Sequence, residues 1–277
     1  MRWVICAVVV LAFAPRAFAQ DYILRGSEST YRWAGVYGGV DGGFASSTTN
    51  FGQAAGPEVA FILRETAIEQ DEQISNWSVL GTRHPENTML GAFVGYNFEW
   101  NNIIFGPEVD YNHASLTATA QNSLTRSFSD SGGLPAGHNY YYTVFVGAES
   151  AFHMSDIATF RMRFGWDAGN FLPYSFFGLA VTRMSTTTAA VVSYTAVDFP
   201  DSETPPLTPL PDLGPITGSQ ANSQNDFAYG FATGLGLDVG LTPNIFVRGE
   251  LEYIYFAPVT GIQMSMTSAR IGAGLKF

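Results

Sequence analysis

Cysteine is nearly absent from this 277-residue chain: Cys6 is the single one, and it lies in the apolar run "WVICAVVVLAFA" near the N-terminus. Once that run is removed, no disulfide and no cysteine metal site remain. Basic residues are scarce too, with 13 Lys and Arg against 24 Asp and Glu. A field of that sign excludes nucleic acid as a partner, because every phosphate contact would have to overcome it. Past the N-terminal run no apolar stretch is long enough for a membrane-spanning helix. His84, His113, His138 and His153 are scattered without the spacing of metal ligands, so no metal site is expected. Gly234 and Gly236 form a Gly-x-Gly with no helix pattern after it, so no dinucleotide cofactor is expected either.

The N-terminal run follows Arg2 and ends in "RAFA" before Gln20, with Ala17 and Ala19 in the small-residue pattern of a cleavage site. Residues 1–19 therefore read as a cleaved export signal and 20–30 as a short periplasmic segment. Removing Arg2 and Arg16 from the 13 basic residues leaves 11 against 24 acidic ones, a formal charge of −13.

Residues 31–277 carry a repeated period-two pattern. In "NIFVRGELEYIYF" Ile245, Val247, Leu251, Tyr253 and Tyr255 alternate with Arg248, Glu250 and Glu252. "TFRMRFGWD" sets Phe160, Met162, Phe164 and Trp166 against Arg161, Arg163 and Asp167. "LGAFVGYNFEW" opposes its apolar face with Asn97 and Glu99, "IIFGPEVDYN" with Glu108, Asp110 and Asn112, and "FAYGFATGLGLDV" with Asp238. The last stretch, "ARIGAGLKF", sets Ile271, Leu275 and Phe277 against Arg270 and Lys276. With weaker alternation in "YRWAGVYGGVDGGF" and "FLPYSFFGLAVTRM", eight strands result, each about the 9–11 residues that cross a bilayer.

Their connections fall into two classes. "WNN", "DAGN" and "LTPN" are minimal and rich in turn formers, whereas about 47–87, 116–155 and 186–225 are long and polar. Short turns at one end and long loops at the other mark a transmembrane barrel. The fold expected is all-β, an eight-stranded antiparallel up-and-down transmembrane β-barrel with three long extracellular loops. Trp33, Tyr37, Trp100, Trp166, Tyr174, Tyr253 and Tyr255 are expected in an interfacial girdle. The stretches "HNYYYTVFVGAESAF" and "AAVVSYTAV" either extend the wall above the membrane, form a hairpin or make a ligand patch.

The segments "WAGVYGGV", "GYNFEWNNIIFGPEVDY", "RMRFGWDAGNFLPY", "GLGLDVGLTPNIFVRGELEYIYF" and "RIGAGLKF", in that order, resemble the small eight-stranded outer-membrane β-barrel family that contains porin-like proteins and major surface antigens of alphaproteobacteria. The resemblance implies insertion by the barrel assembly machinery, with the final strand and Phe277 as the assembly signal. It does not reach the long loops; the third is acidic and Pro-rich, and no Lys or Arg occurs from Met184 to Val247.

The residues expected to face the lumen are Glu99, Glu108, Asp110, Arg161, Arg163, Asp167, Asp238, Arg248, Glu250, Glu252, Arg270 and Lys276. They make either a salt-bridged plug or a narrow or gated pore, and an eight-strand interior, just wide enough for side chains to fill, favours the plug. Expected partners are outer-membrane lipid and lipopolysaccharide, the latter through divalent cations bridging its phosphates, and the assembly machinery. The expectation is a structural, surface-exposed envelope component with porin-like diffusion as an added activity. Alternatives are a lipid-modifying or proteolytic barrel, for which His113 and Ser115 past Asp110 are the candidate set, and an adhesin acting through the loops. The oligomeric state is not legible.

Overall fold

The computed structural model describes residues 31–130, 138–198 and 213–277. The export signal and the 20–30 segment lie outside the described residues. One antiparallel sheet closes on itself, built from β1 (Gly35–Asn50), a two-residue β2 (Thr82–Arg83), β3 (Glu86–Trp100), β4 (Ile103–Asp130), β5 (Tyr140–Trp166), β6 (Phe171–Asp198), β7 (Leu213–Thr242), β8 (Ile245–Val259) and β9 (Ile262–Lys276). Eight strands are long, and β9 zips onto β1 from Tyr37↔Lys276 to Asn50↔Gln263. That seam leaves no unpaired edge in the ring, the condition for burying backbone in lipid.

The short turns follow from local chemistry. Asn101 and Asn102 take the positive φ of a two-residue hairpin turn, 48° and 65°. In the next turn the Gly169 N–H donates to Asp167 Oδ1 at 2.8 Å, with Gly169 at φ 78°.

Strand lengths are uneven. β4 to β7 span 27 to 30 residues each, whereas β1, β3, β8 and β9 span 15 or 16. The ring near the short turns is closed by all eight, and beyond it β4 to β7 continue as a four-stranded wall. Exposed Val40, Phe44, Leu90, Val94, Tyr111, Phe160, Leu179, Tyr229, Leu251 and Ile271 form an apolar belt around the ring, as a barrel needs where it meets lipid. At the belt's upper limit the ladder slips between His113 and Leu116 on β4 and between Met154 and Ile157 on β5, β-bulges that re-aim the wall.

The expected loops at 116–155 and 186–225 are corrected here where the chain is described; their parts at 131–137 and 199–212 lie outside the described residues. Residues 116–130, 140–155, 186–198 and 213–225 are strand, and both aromatic and apolar stretches noted in the sequence extend the wall. The first long connection is not an open loop either. Residues 51–81 fold into α1 (Gly56–Ile62), α2 (Ala67–Glu72) and a 3₁₀ turn (Ile74–Asn76), a cap whose Phe51, Val59, Leu63, Ile68, Ile74 and Leu80 are buried. They share one apolar core with Leu116, Val144, Val146, Phe152, Met184 and Val192 from the inner face of the wall. At about 1.5–3 kcal/mol per fully buried side chain, this core seats the cap.

Candidate functional site

The axis of the ring is filled in three layers. Nearest the short turns is an aromatic layer of Tyr31, Trp33, Tyr37, Phe93, Tyr174 and Phe246. This corrects the expected girdle: Trp33, Tyr37 and Tyr174 are 2%, 2% and 5% exposed and point inward, while Trp100, Trp166, Tyr253 and Tyr255 are exposed on the belt. The reason is parity. Tyr37 shares its face of β1 with Asp41, and Val36, Val40 and Phe44 take the other.

Above it lies an ionic layer in which Arg161, Arg163, Arg248 and Arg270 face Asp41, Glu108, Asp110, Asp238, Glu250 and Glu252, every one at most 4% exposed. Arg161 is the hub. Its Nε donates to Glu108 Oε1 at 2.7 Å, and Nη1 and Nη2 donate to the two oxygens of Glu250 at 2.7 and 2.9 Å. Arg163 donates to Glu108 Oε2, Asp238 Oδ2 and the Tyr37 hydroxyl. Arg248 grips both oxygens of Asp238 at 2.9 and 3.2 Å. Arg270 donates to Asp110 Oδ1 at 2.7 Å and to Glu250, and lies 3.1 Å from Glu252. Tyr37 and Tyr174 donate their hydroxyls to Glu108 and Glu250.

The two layers are joined through ring faces. The guanidinium carbons of Arg161, Arg163 and Arg248 stand 4.2, 3.7 and 3.8 Å over Phe176, Tyr174 and Phe93. Planar cations stacked on aromatics and forked to carboxylates suit arginine and not lysine. The third layer is the cap.

Of the twelve residues expected in the lumen, Glu108, Asp110, Arg161, Arg163, Asp238, Arg248, Glu250, Glu252 and Arg270 converge in the network. Glu99 is exposed, and Asp167 and Lys276 are half-buried at the short-turn end. All three sit at the short-turn ends of their strands; Glu99 lies opposite the inward Ile104 and Lys276 opposite the inward Tyr37, so they miss the network by height along the axis, not by parity. Lys276 lines a shallow cavity of about 240 Å³ there with Tyr31, Arg32, Asn170 and Asn244. Sequence reasoning missed Asp41, Tyr37 and Tyr174; the signal for Asp41 was its parity against Val36, Val40 and Phe44.

The set of Asp110, His113 and Ser115 does not assemble. Asp110 points inward to Arg270 and Asn112, whereas His113 faces outward and its Nδ1 pairs with Asp156 Oδ1 at 2.9 Å. Asp156 lies just above the apolar belt and also accepts hydrogen bonds from Ser155 Oγ and Tyr111 OH, each at 2.7 Å. The bonds from His113, then Ser155 and Tyr111, hold its carboxyl down to about 2 from an ordinary 3.8. A depressed folded-state pKa contributes stability above the unfolded value that disappears as pH falls through the folded one. In urea titrations of the refolded protein, the deficit of Asp156→Asn relative to wild type is therefore expected to be constant above about pH 5 and to vanish toward pH 2; a deficit unchanged down to pH 2 would sink this assignment.

The sequence model of the family described as outer membrane protein beta-barrel domain matches residues 4–277. A relative, the 25 kDa outer-membrane immunogenic protein of Brucella ovis, is 21% identical over 282 residues, which cover 99% of this chain and 96% of that one. Among solved structures the chain is similar to the N-terminal β-barrel domain of Pseudomonas aeruginosa OprF, 11% identical over 88% of this chain and 98% of that one with a TM-score of 0.36. It is also similar to the Yersinia pestis attachment invasion locus protein Ail, 13% identical over 88% and 99% with a TM-score of 0.29. Outer membrane protease OmpT from Escherichia coli is 9% identical over 92% and 100%, with a TM-score of 0.39.

Proposed function

Because the chain belongs to the outer membrane protein beta-barrel domain family and resides in the cell outer membrane, we propose that it serves there as a sealed barrel displaying a surface wall, neither an open pore nor an enzyme. The observation that carries this is the ionic layer: ten charged side chains fill the section of the ring at no more than 4% exposure. An ion crossing that layer would have to shed its water and break charge-assisted bonds of 2.7 to 2.9 Å. The cap then covers the extracellular mouth with an apolar core.

What the cell presents outward is the four-stranded wall, on which Tyr141, Phe145, Val191 and Ile216 are exposed well beyond the lipid belt. The belt itself takes outer-membrane lipid and lipopolysaccharide as its partners. The β9 strand, with Phe277 donating its backbone N–H to Val36, is the element the assembly machinery would read.

Planar-bilayer recordings test the sealed barrel. The refolded protein is expected to be silent, and so is the Arg161→Ala/Arg163→Ala variant, because the aromatic layer and the cap still block the path. Discrete steps from the wild type, with a size or ion selectivity that changes in the variant, would make it a pore and overturn the proposal.

A further inference from the structure

The underside of the cap holds one carboxylate that nothing in the ionic layer explains. Glu58 lies in the first turn of α1, yet it is 6% exposed, turned toward the wall, and its Oε2 has no hydrogen-bond partner. It lines a pocket of about 40 Å³ together with Thr186 and Thr188 of β6, Asn222 and Gln224 of β7, and Thr260 of the β8–β9 turn. Thr260 Oγ1 is likewise buried without a partner.

No lining residue is basic, and no Lys or Arg exists from Met184 to Val247. A buried carboxylate with no countercharge is costly, and a water could hydrogen-bond it without offsetting the charge. The pocket has room for one ion together with water.

We propose that this pocket binds a single calcium-class cation, with Glu58 as the charged ligand and the oxygens of Thr186, Thr188, Asn222, Gln224 and Thr260 as neutral ones. Every available side-chain donor is a hard oxygen, the preference of calcium and magnesium rather than of zinc or copper. Among the described residues no three His, Cys, Asp or Glu side chains come together, so Glu58 is the one charged ligand this pocket offers. Magnesium demands strict octahedral geometry and holds its waters tightly, whereas calcium accepts six to eight oxygens flexibly, which better suits one carboxylate and scattered neutral oxygens from several elements. With one carboxylate the site is a weak one, of the roughly 10⁻⁴–10⁻³ M class of extracellular modules.

The placement gives the ion a task. Its ligands come from α1, β6, β7 and the β8–β9 turn, so one cation fastens the cap to two strands of the wall and one hairpin turn of the ring. That turn already presses on the cap: Gly261 has φ 75°, and a Cβ there would collide with the backbone carbonyl of Gln53.

The test uses the refolded full chain after chelation, with thermal unfolding followed in no added metal and in about 5 mM CaCl₂, above the expected dissociation constant. Calcium is expected to raise the wild-type midpoint by a few degrees and magnesium to raise it less. Glu58→Gln keeps the shape and removes the charge. It is expected to fold, to be at least as stable as the metal-free wild type, and to gain nothing from calcium. An equal calcium shift in Glu58→Gln would place the ion elsewhere, and no shift in the wild type would mean that a proton, not a cation, neutralises Glu58; either result overturns the proposal.

Discussion

Arg161→Ala is expected to lower the stability of the folded barrel by roughly 3–5 kcal/mol, the cost of removing one partner from a buried ion pair, read as a fall in the urea midpoint of the refolded protein. The side chain is fully buried and holds Glu108 and Glu250 through three bonds of 2.7 to 2.9 Å. Four guanidiniums already face six carboxylates in this layer; with three, Glu108 and Glu250 lose their shared cation at a depth where neither is more than 4% exposed. Arg161→Lys should recover only part of the loss, since an ammonium is a point charge that reaches one carboxylate well and does not fork across two. The stack on Phe176 at 4.2 Å goes as well. A loss below about 1 kcal/mol, the range of exposed ion pairs, would mean that the layer is wetted, leaving the seal to the aromatic layer and the cap.

The ring was legible in the sequence because its two faces meet different media. Where lipid lies on one side and packed charge on the other, period-two contrast is strong, as in Phe160 to Trp166 or Ile245 to Tyr255, and nine of the twelve lumen residues could be placed by parity alone. Above the membrane that contrast disappears. In "TTTAAVVSYTAV" on β6, Thr186, Thr188, Ala190 and Val192 face the cap while Thr187, Ala189 and Val191 face out, so both faces carry the same kinds of residue and the stretch reads as loop. β1 was ambiguous for a related reason: glycines occupy both of its faces, and Tyr37 looks like a girdle residue until its register with Asp41 is fixed. The cap went unread because its helices are only six and seven residues long, too short for helical periodicity to stand out, and they persist through tertiary burial. Glu58 in particular has the sequence appearance of a solvated helix-start acid; only the wall opposite makes it buried.

The same register explains a second large effect, at the seam. Gly43 on β1 lies opposite Arg270 on β9, both facing the lumen. A Cβ at Gly43 would overlap the carbonyl oxygen of Ala269 and lie 2.8 Å from the Arg270 Cα. Those are backbone atoms of the neighbouring strand, so no rotamer change relieves the clash and β9 itself must move. Gly43→Ala is therefore expected to cost at the upper end of the roughly 1–3 kcal/mol of overpacked sites, or more, because displacing β9 also draws Arg270 away from Asp110, which it meets at 2.7 Å. Gly42, one residue earlier, faces lipid, and a Cβ there would make only ordinary contacts of 3.5 and 3.6 Å with Met89 and Leu90. Gly42→Ala should thus refold like the wild type. In a gel, the unheated Gly43→Ala protein is expected to lose most of the fast-migrating folded band that Gly42→Ala retains. Equal folded bands from the two variants, with equal urea midpoints, would show that the β1–β9 seam yields easily and that closure does not depend on this close approach.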